Sequence, residues 1–151
     1  MSGSALRRVR EHRAAGHHTV LVTGAVRPLT RPLAALFDTV VAAELAADDD
    51  GRATGFLTSP PMVGESRAAW LTRFAQVHGF DLSRSYAYAD SQSDLPLLRA
   101  VGRPTAVSPD VALYRAARAA RWPVENWRTP PAASRSRFPD VRHDTTGVAL
   151  P

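Results

Sequence analysis

Short apolar runs alternate along the chain with longer stretches in which apolar residues recur at helical spacing. The runs are nearly continuous and are bounded by polar residues or glycine, which is typical of strands buried on both faces of a parallel sheet. Four runs predict such strands, at 19–23, 39–41, 86–89 and 104–107. Strands that alternate with helices predict an α/β fold, with a parallel sheet and helices on its faces.

Helical periodicity fills most of the chain between these strands. It predicts helices at 5–15, 28–37, 64–78, 95–101 and 111–121, and a last short strand follows at 123–127. Gly16 and Gly79 follow two of the helices as C-terminal caps, and Asp110 precedes another as a side-chain cap. Residues 44–57 differ, because the turn signal Asp48-Asp49-Asp50-Gly51 separates two modest strand patterns and predicts a small β-hairpin insertion.

Chain length and the final segment set the expected domain organisation. A chain of 151 residues has the size of one ordinary domain, and its apolar content of 44% is enough for one core. We expect that domain to occupy residues 1–127. Residues 128–151 are rich in Pro, Ser, Thr and Arg and contain few large apolar groups, so we expect a disordered tail there.

Composition excludes several kinds of chemistry. The chain has no cysteine, which excludes disulfides, cysteine-bound zinc, iron–sulfur clusters and thiol catalysis. All 19 basic residues are arginine, so reactions that need a lysine amine are excluded as well. No apolar run reaches the roughly 20 residues of a membrane-spanning helix, and the first residues lead into a charged helix pattern rather than a signal peptide. These features favour a cytoplasmic protein without a membrane partner.

Two groups of polar residues lie where a parallel sheet places its ligands, at the carboxyl ends of its strands. The hydroxyl of Thr23 and the unobstructed N–H of Gly24 suit a phosphate oxygen, although the same pair also suits a plain strand end. Asp90 and Asp94 follow the 86–89 strand. They can converge on a hard cation such as Mg²⁺, or one of them can cap the helix that follows.

Arg67 is a third candidate. It lies in the first turn of the helix predicted from Gly64. The helix dipole disfavours a cation at that end, so the segment taken in isolation predicts an exposed arginine.

In order along the chain, these segments resemble the haloacid dehalogenase (HAD) superfamily, in subfamily IB, its phosphoserine-phosphatase-like branch. The resemblance runs from about Leu6 to Trp127. The string Val20-Leu21-Val22-Thr23-Gly24-Ala25 resembles the second motif of the family, a strand that ends in a phosphate-binding Ser or Thr. The most specific signal is Tyr88-Ala89-Asp90-Ser91-Gln92-Ser93-Asp94-Leu95-Pro96, which resembles the Mg²⁺-binding fourth motif.

The resemblance implies a Rossmann-like, HAD-type fold and phosphatase-type hydrolysis of a phosphate monoester. It implies Thr23, Gly24 and Arg67 as phosphate-binding residues, Asp90 and Asp94 as Mg²⁺ ligands, and a small phosphorylated molecule as substrate. Arg67 stands where the third motif of the family normally supplies a lysine. Arginine keeps the positive charge but presents it as a planar fork instead of a point-like ammonium.

The first motif of the family, Asp-x-Asp-x-Thr, is missing. It supplies the nucleophilic aspartate and the general acid–base aspartate and precedes the second motif, yet the 22 residues before Thr23 contain no aspartate. We therefore assign no catalytic residue in this chain. The sheet is also expected to be incomplete, because the first-motif strand of the family lies between the strands that here end at Thr23 and Asp90.

Several explanations for this gap stay open. The chain is a fragment, has a misassigned start, pairs with a complementing segment, or closes its sheet so that the two strands become neighbours. Exposed strand edges would favour self-association. We expect a truncated or inactive HAD phosphatase. The alternatives are the C-terminal part of a larger multidomain enzyme and a non-catalytic module whose arginines bind anions or nucleic acid, although no nucleic-acid-binding motif supports the latter.

Overall fold

The computed structural model describes residues 2–26, 34–43, 45–47, 53–57, 64–128 and 145–150. The helices are α1 (Gly3–Ala14), α2 (Glu65–His78), α3 (Leu95–Arg99) and α4 (Val111–Ala120). The strands are β1 (His18–Val26), β2 (Thr39–Ala43), β3 (Leu45–Ala47), β4 (Ala53–Leu57), β5 (Tyr86–Ala89), β6 (Arg103–Val107), β7 (Val124–Glu125) and β8 (Thr145–Leu150). Short 3-10 turns at Leu82–Arg84 and Gln92–Asp94 precede β5 and α3.

The main sheet has six strands in the order β2-β1-β8-β5-β6-β7. β1 pairs with β2, β5 with β6 and β6 with β7, all in parallel. β8 lies between β1 and β5 and runs antiparallel to both. The predicted α/β class, with a mostly parallel sheet and flanking helices, is confirmed.

The central strands are buried on both faces, which explains their continuous apolar sequence. Val20, Leu21 and Val22 are successive residues of β1, so their side chains alternate between the two faces, and all three are fully buried. The main hydrophobic cluster combines β1, β5, β6 and β8 with α2, α3 and α4, through Val20, Val22, Leu71, Ala87, Ala89, Leu97, Leu98, Val101, Ala106, Leu113, Ala117, Val148 and Leu150.

The C-terminal strand corrects two expectations. Residues 128–151 were expected to be disordered, and for Thr145–Leu150 this is wrong, because these residues form β8 in the middle of the main sheet. Residues 129–144 lie outside the described part of the chain. The expected gap beside β1 and β5 is filled by this strand, so the two neither face a gap with unpaired edges nor pair directly with each other.

The predicted hairpin is confirmed as a separate two-stranded sheet. β3 pairs antiparallel with β4, with Leu45 opposite Leu57 and Ala47 opposite Ala53. The turn predicted at 48–51 lies outside the described residues, as does most of the helix predicted at 28–37. Among the described helices, none is long and apolar enough to cross a lipid bilayer.

A buried histidine joins α1 to the main sheet. His12 Nε2 lies 2.6 Å from the Tyr88 hydroxyl oxygen, and its Nδ1 lies 2.8 Å from Nδ1 of His17. His12 is 8% exposed. Burial, together with His17 and Arg8 nearby, lowers the pKa of His12 from 6.5 to about 4. The folded chain therefore keeps His12 neutral over most of the pH range.

We expect acid to weaken the fold through His12. Its pKa is lower in the folded than in the unfolded chain, so its stabilising contribution is complete above pH 6.5 and is lost as the pH falls from 6.5 towards 4. The full difference is about 3 kcal/mol in the free energy of unfolding. Urea unfolding at a series of pH values measures it. His12→Gln should flatten the curve in this window, whereas Gln76→Ala, at an exposed and non-titrating position of α2, should leave its shape unchanged.

Candidate functional site

The carboxyl ends of β1 and β5 lie at one edge of the main sheet. Both strands run antiparallel to β8, so they run parallel to each other. Thr23 lies on β1 opposite Thr145 of β8, and Asp90 directly follows β5. The predicted phosphate-binding and metal-binding segments are therefore at the same edge, with β8 between their strands.

A buried ion pair lies between α2 and the turn that follows β5. Nη1 of Arg67 donates to Oδ1 of Asp94 at 2.8 Å, and both side chains are 0% exposed. The 3-10 turn Gln92–Asp94 carries the acid, and the first turn of α2 carries the arginine. Removing one partner of such a pair leaves a charge buried without its counterion, which costs about 3–5 kcal/mol.

β8 supplies the third member of this group. The hydroxyl of Thr146 accepts a hydrogen bond from Arg67 Nη1 at 3.2 Å and donates one to Asp94 Oδ2 at 2.7 Å. Thr146 is also fully buried. Each carboxylate oxygen of Asp94 thus has a hydrogen-bond donor, and the charges of Arg67 and Asp94 neutralise each other. We call Arg67, Asp94 and Thr146 the buried cluster.

The expectation of an exposed Arg67, drawn from its segment alone, is wrong. The helix dipole does disfavour a cation in the first turn of α2, but a carboxylate at 2.8 Å offers a stronger interaction inside the protein. The phosphate-binding role that the family resemblance implies for Arg67 stays a prediction.

The helix-cap alternative fails for Asp94. This residue precedes α3, yet its side chain makes no hydrogen bond that caps the helix. Within the turn, the Ser91 hydroxyl accepts from the Ser93 N–H at 3.3 Å instead. The carboxylate of Asp94 is directed at Arg67 and Thr146, so the second acid of the string has a role other than starting the helix.

Asp110 connects the N-terminus of α4 by hydrogen bonds to the loop between β5 and α3. Its carboxylate accepts from the Leu113 N–H at 2.7 Å and from the Gln92 N–H at 2.9 Å. Its own N–H donates to the carbonyl of Asp90 at 2.9 Å. The sequence predicted the cap of α4 by Asp110, which is confirmed, but it carried no sign of the two bonds to the neighbouring loop.

Thr23 is almost fully buried, with 4% of its surface exposed. β1 continues through Gly24 to Val26, so the expectation that the strand ends at Thr23-Gly24 is wrong. The register between β1 and β2 shifts between Val22 and Val26, which marks an irregularity in the ladder at this point. Such irregularities redirect the backbone and are frequent beside functional sites.

The Mg²⁺ ion that the resemblance implies does not fit the buried cluster in this arrangement. A hard cation needs several oxygen ligands, yet one oxygen of Asp94 is bonded to Arg67 and the other to Thr146. Across the described ranges, no group of three or more His, Asp or Glu side chains is placed to hold a metal ion. The assignment of Asp90 and Asp94 as metal ligands stays a prediction, and no chemical step is assigned to the ion.

The buried cluster lies in the protein interior together with Thr23. Thr23, Arg67, Asp94 and Thr146 are all buried, so an external anion reaches Arg67 only after a change in structure. Sequence reasoning missed Thr146. The available signal was the run Thr145-Thr146-Gly147-Val148-Ala149-Leu150, whose β-branched and apolar residues favour a strand within an otherwise polar segment.

Comparison with known proteins gives the family of the chain. The family model for haloacid dehalogenase-like hydrolases matches residues 1–99. The chain is 40% identical over 124 residues to an "Inhibition of morphological differentiation protein" of Streptomyces azureus, covering 81% of this chain and 44% of that protein. It is 33% identical over 125 residues to a histidinol-phosphatase of Neisseria meningitidis, covering 80% of this chain and 56% of that enzyme. The chain thus spans about half the length of these relatives.

Solved structures share the fold. A protein of unknown function from Bordetella pertussis superposes with a TM-score of 0.72 at 33% identity, over 82% of this chain and 57% of that one. A phosphoserine phosphatase superposes with a TM-score of 0.67 at 18% identity, over 82% of this chain and 60% of the enzyme. The family model matches well over half of the residues, so the chain belongs to the haloacid dehalogenase-like hydrolase family.

Proposed function

We propose that this chain carries the phosphate-binding part of a phosphatase-type hydrolase that acts on small phosphate monoesters. In this proposal Thr23 and Gly24 contact the phosphate oxygens and Arg67 neutralises their charge. The observation that carries it is the buried Arg67–Asp94 pair at the sheet edge where β1 and β5 both end. A guanidinium at the carboxyl edge of a parallel sheet is suited to an oxyanion, because it offers two parallel N–H groups.

The names of relatives support the substrate class at a coarse level. One relative is a histidinol-phosphatase, whose name states action on a phosphorylated small molecule. We transfer to this chain only the class, a small phosphate monoester. The cytoplasmic location expected from the sequence belongs to the same proposal.

The lack of a candidate nucleophile before Thr23 limits what this polypeptide can catalyse by itself. The residues before Thr23 include no aspartate, so the aspartate attack that the resemblance implies has no candidate there. We propose that the chain is inactive in this form and that activity requires a complementing segment that supplies the missing carboxylates. The resemblance implies that the strand carrying those carboxylates lies between the strands of Thr23 and Asp90, which is the position that β8 occupies here. Metal binding by Asp90 and Asp94 would likewise require the carboxylate of Asp94 to break its hydrogen bonds with Arg67 and Thr146.

The purified chain is expected to show no turnover of p-nitrophenyl phosphate, with or without Mg²⁺. The physical reason is the lack of a nucleophile beside the phosphate-binding residues, together with the burial of Arg67. Release of p-nitrophenol measured by absorbance tests this. Turnover that Asp90→Asn abolishes would contradict the proposal of inactivity, whereas turnover that survives this substitution would indicate a contaminating phosphatase.

The buried pair on which the proposal rests is open to a double-mutant cycle. Arg67→Met and Asp94→Leu should each lower the free energy of unfolding by about 3–5 kcal/mol, because each breaks the buried ion pair and leaves the other charge in the interior. The double variant should cost clearly less than the sum of the two. Urea unfolding measures all three variants. Arg99→Met, at an exposed position, is the control and should change stability little. Single variants that each cost under about 1 kcal/mol would show that the pair is solvated rather than buried.

A further inference from the structure

β8 differs in direction from its neighbours in the main sheet. It lies antiparallel between β1 and β5, in a sheet whose other described pairings are parallel. Its pairing with β1 runs from His18 opposite Leu150 to Thr23 opposite Thr145. Its pairing with β5 is shorter, from Tyr86 opposite Ala149 to Tyr88 opposite Gly147.

Thr146 lies just beyond the last of the pairs with β5. At this position a side chain of β8 makes the contact with residues beyond β5. The Thr146 hydroxyl is hydrogen-bonded to both Arg67 and Asp94. Thr146 is 0% exposed, like the two charged residues. The end of β8 that is nearest the candidate site therefore contacts the ion pair directly.

We infer that β8 is a closing strand: while it is docked between β1 and β5, Arg67 and Asp94 are sealed, and they become accessible when the strand leaves that position. This inference rests on the proposed function for the identity of the anion, a phosphate group. The closure itself rests on the contacts of Thr146 and on the pairing of β8, which do not depend on what the site binds.

The closure makes ligand binding a competition within the chain. A ligand that binds only the open form shifts the equilibrium between the closed and open forms by its own binding free energy. Its apparent affinity is its intrinsic affinity multiplied by the fraction of chains that are open. Val148, Ala149 and Leu150 are buried, so undocking exposes apolar surface and the open fraction is small. Phosphate should accordingly bind weakly to the resting chain and more weakly still when β8 is held in place.

The full chain can be stapled in the closed form, because it contains no cysteine that would interfere. Ala87 and Val148 are directly opposite each other on β5 and β8. Residues opposite each other in antiparallel strands have Cα separations of about 4.5–5.5 Å, within the range that a disulfide spans. The test protein carries Ala87→Cys and Val148→Cys, compared in its oxidised and reduced states. The control carries Leu45→Cys and Leu57→Cys, which are opposite each other in the separate hairpin.

Two readouts separate the closure from the proposed function. Solvent exchange of the Arg67 guanidinium hydrogens, followed by NMR, reports opening without any ligand. Inorganic phosphate binding, followed by isothermal titration, reports the anion site. We expect oxidation of the 87–148 staple to slow Arg67 exchange by about ten-fold or more, since exchange that requires opening follows the opening free energy. It should also weaken phosphate binding, while oxidation of the hairpin staple changes neither readout.

The outcomes are distinct. Equal Arg67 exchange in the oxidised and reduced 87–148 protein would overturn the closing role of β8. Slower exchange on oxidation, with no phosphate binding in any form, supports the closure and contradicts the proposed phosphate site.

Single substitutions at Thr146 give a second measurement in case the stapled protein does not fold. Thr146→Ala removes the hydroxyl that covers the pair and should speed Arg67 exchange by about ten-fold, the effect of losing a buried hydrogen bond. Thr146→Ser keeps the hydroxyl and should restore slow exchange. Thr105→Ala, at a buried threonine of β6, controls for a general loss of packing. Exchange that responds equally to Thr146→Ala and Thr105→Ala would contradict the inference.

Discussion

The structure depends on pairing the backbone of two buried strands. β1 and β5 are covered on their faces by the hydrophobic core, so each N–H and C=O along their facing edges needs a partner other than water. β8 provides those partners to both strands at once. Leaving such groups unpaired inside the protein costs about 1–3 kcal/mol each, so every position at which β8 pairs adds to the stability of the sheet. This constraint explains why residues 145–150, which follow a polar stretch of sequence, occupy the middle of the sheet.

The same strand determines the electrostatics of the site. Thr146 reaches the functional edge because β8 runs antiparallel, which places its first residues beside the last residues of β1. There its hydroxyl serves as acceptor for Arg67 and donor for Asp94. A neutral hydroxyl can bond to both the arginine and the carboxylate without adding a charge to the pair. If the proposed function holds, the residues assigned to phosphate are contacted by the same strand that completes the sheet.

Much of the fold could be predicted from local patterns. The apolar runs of β1, β5 and β6, the hairpin, and the cap of α4 by Asp110 all follow from residues close together in sequence. The burial of Arg67 could not be predicted from its own helix, because its counterion lies 27 residues away on another element. The position of β8 was missed for a related reason. Its run of six residues is short, and its central place depends on the edges of β1 and β5, which only the assembled sheet defines.

Gly147 reports on whether residues 145–150 lie between β1 and β5 in solution. Gly147 is opposite Leu21 of β1 and also opposite Tyr88 of β5. In an isotope-labelled sample of the full chain, NMR should show cross-strand contacts from the backbone protons of Gly147 to both residues, together with slow amide exchange for Val148 and Leu150. Narrow, rapidly exchanging signals for 145–150 without either contact would contradict the account, because the centre of the sheet would then lack this strand.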